Sequence, residues 1–64
     1  MTLATLIATE RATRAALDVA VENLAAARRA VPMFAPVAEE YYDALDVARG
    51  AWSRAYDALS AASY

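Results

Sequence analysis

The chain of 64 residues contains no cysteine, histidine or lysine, only one glycine and two prolines. Each shortage removes a class of chemistry. Without Cys there is no disulfide to support a small core. Without His, Cys or Lys there is no Ser–His, Cys–His or Ser–Lys nucleophile, and no soft or imidazole ligand for zinc. A single Gly cannot build a glycine-rich phosphate loop. No uncharged run approaches the ~20 residues needed to span a bilayer, and no basic segment opens the chain, so no secretion signal is expected. A cytoplasmic or virion-associated protein is the expectation that follows.

What remains is a helical composition. Alanine is the best helix former, and it supplies much of the 61% hydrophobic fraction while bringing little surface to bury. Few breakers and abundant Ala predict an all-α chain. The net charge of −2 conceals an asymmetry. Residues 2–31 are slightly basic, whereas 36–63 carry Glu39, Glu40, Asp43, Asp46 and Asp57 against Arg49 and Arg54. Neither half is basic enough for a nucleic-acid footprint. The use of Arg to the exclusion of Lys, together with the Ala excess, is the bias of GC-rich coding and points to a high-GC bacterium or its phage.

The prolines divide the chain. Thr2 can cap a helix starting at Leu3, with Arg28 and Arg29 favourably placed in its last turn. Val31 precedes Pro32 and is disfavoured in helical geometry. Pro36 suits the first position of a second helix, with Glu39 and Glu40 close behind. The pattern predicts one domain over residues 1–64: helix 1 at about 2–31, an apolar turn at 32–35, and helix 2 at about 36–62. The two helices form an antiparallel hairpin with Ala-rich heptad packing.

Helix 2 has a regular seam of Ala38, Tyr41, Leu45, Ala48, Trp52, Ala55, Leu59 and Ala62, with Tyr42 and Tyr56 beside it. A parallel row of Ala44, Ala51 and Ala58 lets backbones approach closely. In helix 1 the steps of four and three pick out Leu3, Ile7, Glu10, Arg14, Leu17, Val21, Leu24, Arg28 and Val31; Leu6, Thr13, Ala20 and Ala27 form an adjacent face. The predicted core is Leu17, Val21, Leu24, Leu45, Trp52 and Leu59, with Ala48 and Ala55 at the closest approach. Glu10 and Arg14 form an i,i+4 pair. Antiparallel register predicts Arg28 near Glu39, Asp18 near Arg49, and Glu10–Arg11 near Asp57. Gly50 falls on the outer side of helix 2, either as a tolerated surface Gly or at a close contact. Tyr64, at the end of the chain, adds no pattern.

No catalytic, cofactor or metal site is expected. Glu39, Glu40, Asp43 and Asp46 could hold a hard cation, but a solvated acidic face at a helix start is the reading that accounts for them. The turn is the unusual segment, because Ala30 to Ala38 has no charge and Met33 and Phe34 sit at its tip, where polar residues are usual. They either fold back to plug the bundle or form a docking knob. The candidate interaction residues are Met33, Phe34, Tyr42, Tyr56 and Trp52.

Apolar positions such as Leu6, Val19, Val47 and Tyr42 extend beyond one inter-helix seam and call for another layer, as in a four-helix bundle. The expected function is therefore that of a non-catalytic structural or assembly protein, packing against itself or a larger protein complex, with no small-molecule substrate. The alternative is a small inhibitor or antitoxin-like protein that sequesters a protein partner.

Overall fold

The computed structural model describes residues 2–63; Met1 and Tyr64 lie outside the described residues. Two helices account for the fold: α1 (Leu3–Ala30) and α2 (Glu39–Ser63). They pack side by side as an antiparallel hairpin, 47 × 15 × 13 Å in extent, with no strand among the described residues.

The start of α1 follows from its cap. Thr2 is extended (φ −79°, ψ 157°), and its Oγ1 accepts from the Thr5 backbone N–H at 3.1 Å, satisfying one of the free amides of the first turn. The helix ends at Ala30 because Val31 takes the extended conformation (φ −101°, ψ 152°) that the following Pro32 requires.

Helix α2 begins three residues later than Pro36, so the connection covers Val31 to Ala38 rather than 32–35. Starting at Glu39 places both acids in the first turn, at the positive end of the helix dipole. The Ala35 N–H donates to the Pro32 carbonyl at 3.0 Å, closing a β-turn with Met33 and Phe34 at its centre. Val31 and Val37 are half-buried at the closed end of the hairpin, the place that a folded-back Met33 and Phe34 would have filled.

The seam of α2 runs where the heptad pattern put it: Ala55 is buried, and Tyr41, Leu45, Ala48, Trp52 and Leu59 are half-buried. Ala38 and Ala62, at its ends, are exposed, as are Ala44 and Ala58. In α1 the seam is displaced by one row. Leu6, Glu10, Thr13, Leu17, Ala20, Leu24, Ala27 and Val31 face inward; of the expected row Ile7 is half-buried as well, whereas Arg14, Val21 and Arg28 are exposed, as is Leu3. Val21 is 48% exposed and is not a core residue. The cause is steric and electrostatic together. Ala20, which is buried, and Ala27, which is half-buried, leave space between the helices for larger side chains, while the row containing Val21 would also have buried two arginines.

The resulting core is thin. Among the described residues only Ala20, Leu24 and Ala55 are buried, and no side chain is fully enclosed. Inside it, Glu10 is the polar exception. Its side chain is only 12% exposed; Oε1 accepts from Arg14 Nη2 at 2.9 Å, as the i,i+4 spacing predicts, but Oε2 is buried without a hydrogen-bond partner. The expected inter-helix ion pairs are not formed among the described residues: Glu10–Arg14 is the salt bridge present, and Arg28 lies over a ring instead. Such exposed pairs are worth only about 0–1 kcal/mol each, too little to impose their geometry.

Candidate interaction surfaces

Three surfaces follow from this geometry. The first is the tip. Phe34 has φ 74°, the sign taken by the third residue of a type II turn, a position that favours Gly or Asn. A side chain there costs of order 1–2 kcal/mol of backbone strain. Phe34 is nonetheless 97% exposed, and Met33 82% exposed. Neither side chain therefore folds back over the end of its own hairpin.

The second surface is one long side of the hairpin. Arg14, Val21 and Arg28 recur at heptad spacing along α1, and Tyr42, Arg49 and Tyr56 along α2. The two rows adjoin, since the Arg28 guanidinium carbon lies 5.8 Å from the centroid of the Tyr42 ring, a cation–π contact worth about 0.5–1 kcal/mol at an exposed site. No carboxylate interrupts either row. Trp52 supports this side from the seam, its ring tilted 38° against Tyr56 with centroids 5.3 Å apart. The Trp52 indole N–H is buried without a hydrogen-bond partner. Tyr42, Tyr56 and Trp52 thus lie together along α2, whereas Met33 and Phe34 stand apart from them at the tip.

The third surface is the opposite long side, and the sequence pattern pointed to it only through Val19, Val47 and the Ala44 row. In α1 it carries Thr5, Thr9, Ala12, Ala16, Val19 and Asn23, all exposed and all uncharged. Thr9 Oγ1 donates to the Thr5 carbonyl at 2.9 Å, so its hydroxyl is satisfied within its own helix. In α2 this side carries Ala44, Ala51 and Ala58 beside the row Glu40, Val47, Arg54 and Ala61. Nearby, Gly50 leaves room for Arg54: a Cβ at residue 50 would lie 3.3 Å from Arg54 Nη1, so the guanidinium rests back along the helix.

The four acids at the start of α2 do not converge. Glu39, Glu40, Asp43 and Asp46 are exposed around successive faces, and no group of three metal-ligating side chains occurs among the described residues. An open depression lined by Glu22, Asn23, Ala25, Ala26 and Arg29 is surface relief along α1 alone. No described helix is long and apolar enough to cross a membrane. Comparison with protein-family models, curated proteins and solved structures gives no match to this chain.

Proposed function

We propose that this protein is a non-catalytic assembly unit that works by packing its helices against copies of itself or against a larger protein complex. The observation that carries this reading is the imbalance between inside and outside. The hairpin buries two alanines and one leucine, while Val19, Val21, Val47, Tyr42, Tyr56, Met33 and Phe34 stand in solvent. Conformational entropy costs about 1–2 kcal/mol per residue for the backbone alone, and small chains without disulfides or metals commonly meet that cost by association. A small virion component or an accessory subunit of a larger complex fits this behaviour, in the cytoplasm or in the particle.

The test is dilution. Helix content by circular dichroism is followed over a wide concentration range, with mass measured by light scattering. Association coupled to folding predicts that helicity falls as the protein is diluted. Constant, cooperative helicity in a species shown to be monomeric throughout would overturn the self-assembly reading.

A second reading rests on the tip. A strained backbone holding a fully exposed Phe is the geometry of a knob for a pocket on another protein, as a small inhibitor would present. Under this reading Phe34→Ser leaves self-association unchanged and abolishes capture of the partner. Loss of the oligomer in Phe34→Ser would instead assign the tip to self-contact.

A further inference from the structure

The self-assembly proposed above leaves open which side of the hairpin is used, and the distribution of charge decides it. In a two-fold dimer each subunit contributes the same patch. Docking through the Tyr–Arg side would place Arg14, Arg28 and Arg49 of each subunit in the middle of the patch, with Asp18, Glu39 and Asp46 only along its edge, so three guanidinium groups per copy would have to leave water. The other long side has no charge at all on α1, and on α2 only Glu40 and Arg54. Those two are opposite in sign and stand seven residues on either side of Val47.

We infer that a second copy of this chain docks on the side bearing Val19 and Val47, with α2 antiparallel to its symmetry mate and the two-fold axis passing at Val47. The axis then sets Val47 against Val47 of the second copy. It also sets Glu40 level with the second copy's Arg54, and Arg54 level with its Glu40. Within one helix this pairing cannot occur, because fourteen residues separate the two charges by about 21 Å. Val47 is the most exposed large apolar residue of either helix, at 72%. Ala44, Ala51 and Ala58 beside it allow two helices to approach closely, and the α1 helices stack through Val19, Asn23 and Ala26, which flank the level of Val47. The available area is sufficient. The hairpin exposes 4834 Å², and a standard interface takes about 800 Å² from each partner, roughly a sixth of that surface, which one long side of a rod 47 Å in length can supply.

The inference rests on the self-assembly reading and is tested separately from it by charge reversal in the full chain. Glu40→Arg alone, or Arg54→Glu alone, turns both symmetry-related contacts from attraction to repulsion. Each variant should weaken self-association roughly ten- to a hundredfold by sedimentation equilibrium. The double variant Glu40→Arg/Arg54→Glu restores complementarity, and so does an equimolar mixture of the two single variants; both should return to within about threefold of the parent affinity. Asp57→Arg, an equal change of charge on the outer edge of α2, is the control and leaves association unchanged. Helix content of each sample separates loss of folding from loss of association, and recovery on mixing stays readable if the single variants unfold on dilution. A parent chain that dimerises while all these variants dimerise equally well overturns this face and leaves self-assembly standing. A parent chain that stays monomeric overturns both.

Discussion

Replacing Phe34 separates backbone strain from side-chain contact, because the residue has almost none of the latter. At φ 74° its Cβ makes the left-handed conformation unfavourable by about 1–2 kcal/mol, a cost that glycine avoids. At 97% exposure its ring contributes essentially no burial to the folded hairpin. Glycine also loosens the unfolded chain, which offsets about 0.4–1 kcal/mol of the gain. Phe34→Gly should therefore stabilise the protein by about 0.5–1 kcal/mol, whereas Phe34→Ala, which keeps the Cβ and so the strain, should lie within about 0.5 kcal/mol of the parent. For a domain of this size 1 kcal/mol corresponds to about 4–8 °C in Tm. Thermal melts of the three proteins by circular dichroism, at one fixed concentration, read the difference. Destabilisation of both variants by more than about 1 kcal/mol would show that the ring is buried in the folded species, and the strain argument for the tip would fail.

Three further perturbations test the packing. Gly50→Ala should stabilise α2 by up to about 1 kcal/mol through helix propensity, because the atom its methyl meets at 3.3 Å is the mobile end of Arg54; a lower Tm would mean that the guanidinium is fixed in place. Glu10→Leu removes a buried carboxylate oxygen with no partner and should raise stability by about 1 kcal/mol, read from the urea midpoint; a lowered midpoint would give the Glu10–Arg14 pair more weight than its geometry warrants. Leu24→Ala should cost about 2–4 kcal/mol and Val21→Ala under about 1 kcal/mol, since Leu24 is 6% exposed and Val21 is not buried; equal losses in hydrogen-exchange protection would contradict the seam described for α1.

Both helices, the break between them and the seam of α2 were legible in the sequence because breakers and large apolar residues coincide there. In α2, Leu45, Trp52 and Leu59 share one row with alanines beside it, so only one face can be buried. In α1 two rows flank Leu17 and Leu24. The row of Ile7 and Val21 is the more hydrophobic and was the natural choice, but it also holds Arg14 and Arg28. The row of Ala20 and Ala27 is inward because the bulk on the facing helix needs space more than it needs further bulk. A single-helix pattern cannot contain that fact, since it belongs to the pair. The same limit explains the late start of α2: Pro36 is compatible with a first helical turn, yet the turn closed by Pro32 and Ala35 leaves Val37 to reach the seam before the helix begins. Of the candidate interaction residues, the tip stood out by composition alone; the side opposite the Tyr–Arg rows was signalled only by Val19 and Val47, because its other residues are individually unremarkable and only the hairpin sets them on one face.

Thr2 closes the start of α1 with a side-chain hydrogen bond, but Ala38, ahead of α2, has no side-chain oxygen to offer; the bond across that junction is the one from the Tyr41 N–H to the Ala38 carbonyl, at 3.2 Å. Uncapped amides at a helix start exchange with solvent through small local openings rather than through global unfolding. The first turn of α2 is thus the natural fraying point, and it lies directly behind the strained tip. Each opening there lengthens the tether that carries Met33 and Phe34, widening the volume that the two side chains sweep while the rest of the hairpin stays zipped.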